Sequence, residues 1–173
     1  VEGVTEEFVL PLVAAKLGYE FDANGVSVVN ADGKDNLDAL YHLYQAFEIP
    51  TFVIFDGDRG NAQKASRNRT LLRMLGQSET EDPDQVIGSN YAVLQADFED
   101  ALKRSLEAYL PGRYDTLHTQ ATQELGGNAG KGLVARFITR QLIIVSDADP
   151  QAIPDHIRQI IDKIRNRINR LYR

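Results

Sequence analysis

The stretch Thr51-Phe52-Val53-Ile54-Phe55 runs without a charge and stops directly on Asp56-Gly57-Asp58. A β-favouring run that is almost wholly apolar must be covered on both faces, which a chain achieves by laying helices over a parallel sheet. In an open sheet of that kind, ligands collect outside the carboxyl ends of the strands. The strand therefore delivers two carboxylates, two residues apart, to the edge of one crevice.

The rest of the chain agrees with an α/β core. Val26-Ser27-Val28-Val29-Asn30 and Tyr91-Ala92-Val93-Leu94-Gln95 read as further strands. Between the first of these and the central strand, Leu37, Leu40, Tyr41, Tyr44 and Phe47 repeat at helical spacing, after a turn in which Asp35 is a candidate N-cap. Thr5 is a candidate N-cap for an opening helix that Pro11 should kink or delay. Basic residues mark a helix from about Asn61 to Leu75, and 97–140 reads as helical throughout. Ile157, Ile160, Ile161, Ile164, Ile168 and Leu171 stripe a last amphipathic helix. The expected organisation is a parallel-sheet α/β core over 1–96, an appended helical lobe over 97–149, and a C-terminal helix over 150–173 packing back on the core.

A chain of 173 residues with 43% apolar composition holds one domain, or one with an inserted lobe. No run approaches the roughly 18 apolar residues of a membrane span. With no cysteine, disulfides, thiolate metal sites and cysteine nucleophiles are excluded, and a reducing, cytoplasmic setting is expected. The chain opens at Val1-Glu2-Gly3 without methionine or signal pattern, and a fragment of a longer protein is expected.

Charge is unevenly spread about a net value of −6. Residues 1–58 carry Glu2, Glu6, Glu7, Glu20, Asp22, Asp32, Asp35, Asp38, Glu48, Asp56 and Asp58 against Lys16 and Lys34 alone. Residues 59–76 then carry Arg59, Lys64, Arg67, Arg69 and Arg73 and no acid. An acidic pocket beside a basic stripe suits a polyanion handled through divalent cations; solvated faces are the plainer reading of the same runs.

Acids stand at three strand ends: Glu2, closing a truncated first strand, with Glu6 four residues on; Asp56 with Asp58; and Asp97 with Glu99. Carboxylates are hard ligands suited to magnesium or manganese, and concentrating them is costly unless cations lie between them. Taken singly, Glu6 could serve a helix dipole and Asp97 an N-cap. Lys34, next to Gly33, could face the crevice.

Val1-Glu2-Gly3-Val4-Thr5-Glu6, followed some fifty residues later by Phe55-Asp56-Gly57-Asp58, resembles a TOPRIM domain. With Leu10-Pro11, Asn30-Ala31-Asp32-Gly33-Lys34-Asp35-Asn36 and Ile49-Pro50, the pattern is similar to the OLD (overcoming lysogenization defect) family of nucleases. The likeness covers about residues 1–60, with a thinner continuation through Asp97-Phe98-Glu99 and Asn128-Ala129-Gly130-Lys131. It implies a TOPRIM-like parallel sheet and a DNA endonuclease activity that uses two Mg2+ or Mn2+ ions, with a role in phage defence. It implies Glu2, Glu6, Asp56, Asp58, Asp97 and Glu99 as metal ligands, Glu2 and Asp56 counting also among the catalytic groups, and Lys131 near the scissile phosphate. It further implies an amino-terminal ABC-type ATPase, through which alone ATP would act. A helicase partner is admitted, oligomerisation would belong to the full-length protein, and no membrane is involved. Residues 126–132 do not supply the ATPase: the glycine spacing is one short of a phosphate loop, and Gly132 stands where Ser or Thr would hold magnesium.

Arg59, Lys64, Arg67, Arg69 and Arg73 are the DNA-phosphate candidates because they directly follow the acids. His42, His118 and His156 are scattered and read as structural. The main alternative is a non-catalytic, metal-stabilised TOPRIM module that docks DNA or a protein. A topoisomerase would need a tyrosine nucleophile, and Tyr91, Tyr109 and Tyr114 have no supporting motif. Small-molecule phosphotransfer would need a phosphate-cradling glycine loop that the chain lacks.

Overall fold

The computed structural model describes residues 1–58, 61–95, 98–126 and 130–171. Helices α1 (Val4–Lys16) and α2 (Leu37–Ala46) precede strand β1 (Val53–Asp56) and helix α3 (Ala62–Met74). Strands β2 (Val86–Ile87) and β3 (Tyr91–Leu94) follow, then helices α4 (Phe98–Tyr109), α5 (Tyr114–Glu124), α6 (Lys131–Ser146) and α7 (Asp155–Leu171). The chain divides into two compact units, one of residues 1–3, 29–97 and 163–173, the other of 4–28 and 98–162.

The first unit holds the sheet, in the order β1-β3-β2. Strands β1 and β3 are parallel, with Val53 opposite Tyr91 and Asp56 opposite Leu94. Both are buried along their apolar length, as the unbroken apolar run predicted. The sheet is not parallel throughout: β2 pairs antiparallel with β3. The connection explains it, since β2 turns back through residues 88–90, closed by Gly88 N–H to the Tyr91 carbonyl at 2.8 Å, and so short a link joins only antiparallel strands. The core packs Leu37 of α2 and Leu71, Leu72 and Leu75 of the α3 segment around Val53, Phe55, Tyr91 and Val93.

The predicted strand at 26–30 does not form: the segment has no regular secondary structure and is not part of the sheet. At its end Asn30 Oδ1 takes the Asp32 N–H at 2.9 Å, and Asp32 turns to φ 56°, out of the β region. The backbone there instead joins the chain start: Ala31 N–H reaches the Val1 carbonyl at 3.0 Å and Gly33 N–H the Glu2 carbonyl at 2.9 Å. Asp35 does not cap α2; a short 3-10 turn over Lys34–Asn36 precedes that helix. The Phe47 end of the α2 stripe is exposed, one residue past the helix.

The second unit is helical among its described residues. Helix α1 begins at Val4 and runs through Pro11, so Thr5 lies inside it rather than capping it. Pro11 forfeits one backbone bond. Burial of Val9, Leu10, Val13 and Ala14, on the helix that packs against α6, offsets that loss. The crossing is close because Gly132 has no side chain: a Cβ there would meet Phe8 Cδ2 at 2.6 Å and Val4 Cγ2 at 2.8 Å. Ile157, Ile160 and Ile161 of α7 are buried as their stripe predicted. No described helix is long and apolar enough to cross a membrane.

Candidate metal centre

Glu2 is tied to β1 by its own backbone, its N–H reaching the Ile54 carbonyl at 3.0 Å. Its side chain turns the same way, Oε2 accepting the Asp56 N–H at 3.0 Å. Gly57 lets the strand ends close up behind the acids: its N–H donates to the Leu94 carbonyl at 2.6 Å, and a Cβ would stand 3.1 Å from that same oxygen. Asp58 then turns into the left-handed region at φ 49°, where aspartate is among the few tolerated residues.

A cation lies among these acids. Gly33, at φ 112°, adopts a conformation open in practice only to glycine and leads into Lys34. Lys34 is buried, at 6% exposure. Its ammonium donates to the Asp56 carbonyl, to Asp58 Oδ2, and to Asn68 Oδ1 at 3.0 Å. It stands 3.9 Å from Glu2 Oε2 and 5.6 Å from the centre of the Phe55 ring. Asn68 has no exposed surface and holds the loop from behind, donating to the Gly57 carbonyl at 2.7 Å and the Glu81 carbonyl at 2.8 Å. Lys64 approaches Asp58 Oδ1 at 3.6 Å.

Burial pushes the Glu2 carboxyl above the usual carboxylate range. The Lys34 ammonium and the Asp56 N–H pull it back, while the Asp58 charge adds to the rise. Further positive charge at this point would therefore be favourable. Among the described residues, no group of three or more His, Asp or Glu side chains forms a ready-made metal cage. The donor set nevertheless fits a hard divalent cation in kind: it is all oxygen, and one oxygen each of Glu2 and Asp58 is fixed by a protein donor.

The second unit carries its own polar group. Glu99 Oε1 accepts from Thr5 Oγ1 at 2.5 Å and from Lys131 Nζ at 2.7 Å. Glu6 is buried at 3% exposure. Glu99 and Lys131 stand at a hollow of about 280 Å³ walled by Leu102, Tyr114, His118 and Ile138. Lys131 opens α6, against the preference of the helix dipole, and Glu99 is a partner that accounts for it.

The basic run of the first unit is laced to acids. Arg67 pairs with Asp35 at 2.5 Å, Arg69 with Glu81 at 2.8 Å and Arg73 with Glu79 at 3.8 Å. Their side chains remain half exposed or more. Arg59 and Asp97 lie outside the described residues. Sequence reasoning missed Asn68, although the signal existed: it is a polar residue on the buried stripe of α3 that Ala65 and Leu72 share.

Residues 1–58 match the family model of the overcoming lysogenization defect protein-like TOPRIM domain. The chain has the fold of OLD C-terminal regions. It aligns with the C-terminal region of the Xanthomonas campestris pv. campestris OLD protein at a TM-score of 0.65 and 17% identity, covering 99% of this chain and 95% of that one. The C-terminal region of the Burkholderia pseudomallei OLD protein gives 0.66 and 20%, covering 96% and 95%. An uncharacterized protein, YbjD of Escherichia coli (strain K12), is 32% identical over 81 residues. That match takes in 47% of this chain and 14% of YbjD, so the chain spans a small part of that relative's length. The match to the TOPRIM model ends at Asp58, the last residue of the acid group described above.

Proposed function

We propose that this chain is the nuclease portion of a larger protein, hydrolysing DNA phosphodiesters with the help of two divalent ions, Mg2+ or Mn2+. The observation that carries the reading is the gathering of Glu2, Asp56 and Asp58 around one buried ammonium at the carboxyl end of β1, within the residues that match the TOPRIM model. Glu2, Asp56 and Asp58 would hold metal; Glu6, Asp97 and Glu99 are proposed as further ligands on the family resemblance. Bound divalent ions would supply activated water and charge stabilisation for in-line attack on phosphorus.

The protein's own groups do the rest. Glu2 and Asp58 present carboxylate oxygens whose neighbours on the same group are fixed, so the ligands are oriented before metal arrives. Lys131 would bring positive charge to the phosphate oxygens as charge builds there, exchanging its bond to Glu99 for one to the substrate. Arg59, Lys64, Arg67, Arg69 and Arg73 would hold the DNA backbone without reading its sequence. An amino-terminal ATPase, and a helicase partner, would act through parts of the protein other than this one.

The test is cleavage of supercoiled plasmid by the purified chain with Mg2+, Mn2+ or chelator. Metal-dependent nicking is expected, and Asp56→Ala should abolish it without loss of helical circular dichroism. Nicking that persists in folded Asp56→Ala, or in chelator, would reject the assignment.

A further inference from the structure

We propose that Lys34 is a positioning residue that assembles the carboxylate group of the first unit before metal binds. The inference rests on the metal-centre reading above and adds to it the element that makes the site possible without ions.

Three acids packed at one strand end repel one another, and desolvation strengthens the repulsion. The structure meets this with a fixed, buried cation. Lys34 is buried and lies within reach of three separate pieces of the site: the Asp56 backbone, the Asp58 side chain and Asn68. Each bond has a distinct consequence. The bond to the Asp56 carbonyl fixes the last turn of backbone in β1, whose N–H in turn fixes Glu2 Oε2. The bond to Asp58 Oδ2 holds one oxygen of that carboxylate, leaves Oδ1 with the looser approach of Lys64 at 3.6 Å, and steadies a residue at φ 49°, a region costly to most non-glycine residues. The bond to Asn68 ties the ammonium to α3, and Asn68 itself clamps the carbonyls of Gly57 and Glu81. The aromatic face of Phe55 closes the remaining side.

A lysine that merely stood in for the ion would sit at the mouth of the site and leave when metal came. Lys34 is instead buried, and it approaches Glu2 at the oxygen already engaged by the Asp56 N–H. It orients ligands from the protein side, as outer-shell partners of metal ligands do, and loss of such a partner typically costs about 10–100-fold in metal affinity.

The experiment is Mn2+ titration calorimetry on the wild-type chain and on Lys34→Met, with urea unfolding of both. The expected result is a dissociation constant raised about tenfold or more in the folded variant. A purely structural lysine would lower the urea midpoint and leave the affinity of the folded protein alone, which overturns the proposal. A lysine that competes with metal would make Lys34→Met bind more tightly, which also overturns it. In both cases the metal reading stands; if the wild type binds no Mn2+, both readings fall. Should Lys34→Met not fold, the wild type decides. The Lys34 ammonium signal in 1H–15N spectra should be visible without metal and should shift on saturation with Mg2+. A signal that does not move refutes the role.

Discussion

Asn68→Ala tests the support of the site most directly. The amide is fully buried and makes three bonds, two as donor to the carbonyls of Gly57 and Glu81 and one as acceptor from Lys34. A neutral hydrogen bond contributes about 1 kcal/mol net, and one to a charged group about 1.5–3. The three together come to about 4 kcal/mol. Alanine recovers about 0.5 kcal/mol because it favours the helix interior that Asn68 occupies in α3. The net cost is then about 3.5 kcal/mol.

With a urea slope of about 2 kcal/mol per molar, the midpoint should fall by about 1.7 M, and the slope itself should not change. The assay is urea unfolding followed by far-ultraviolet circular dichroism, without metal. A fall of less than about 0.3 M would refute the reasoning, because it would mean that the carbonyls and the ammonium find other partners at little cost. Asn68→Asp sharpens the test. It keeps an acceptor for Lys34 but turns the two donors into acceptors facing carbonyl oxygens, so it should be no more stable than the alanine variant.

Three further outcomes follow from other parts of the molecule. Gly132→Ala forces a Cβ to within 2.6 Å of Phe8 and 3.0 Å of the Val4 carbonyl, so it should destabilise by about 1–3 kcal/mol despite alanine's helix preference; a melting temperature equal to or above that of the wild type would contradict the close crossing of α1 and α6. His156 has its pKa pushed below the ordinary value of 6.5 by burial and by Arg104, against the opposing Asp155, so the folded chain binds fewer protons than the unfolded one. Its contribution is therefore complete above the unfolded value and lost as pH falls through the folded one, and His156→Gln should flatten the fall in urea stability below about pH 6.5; an unchanged pH profile would refute it. Lys131→Ala should slow plasmid cleavage by on the order of a hundredfold with little change in Mn2+ affinity, and wild-type rates at saturating metal and DNA would return Lys131 to a surface partner of Glu99.

What was legible in the sequence follows from which signals are local. Strand β1 and its terminal acids were visible because an apolar run and its flanking charges are adjacent in the chain, and β1 ends on Asp56 as read. Helix α7 was visible through its isoleucine period and α3 through its run of basic residues, although its cap was not read: Asn61 accepts the Lys64 N–H at the start of α3. The antiparallel β2 was missed because two residues carry no period. The strand at 26–30 was misplaced because the backbone that follows it is taken up by an Asx turn at Asn30 and by bonds to Val1 and Glu2, which no local pattern announces.

The candidate site divides in the same way. Acids announce themselves by charge, but what lets them coexist is a long-range contact: Lys34 meets Asp58 across 24 positions and Asn68 across 34. Spacing holds no trace of such pairings. Composition holds one, since the acidic run 1–58 contains Lys16 and Lys34 as its only cations. Lys16 pairs with Asp147 in the second unit, leaving Lys34 as the lysine of that run available to the acids of the first. A glycine at φ 112° directly before it supplies the backbone geometry of the turn that carries it. The residue on which the carboxylates depend is therefore the scarce opposite charge in their own segment, and Asn68, a polar residue on an otherwise buried helix stripe, is its anchor.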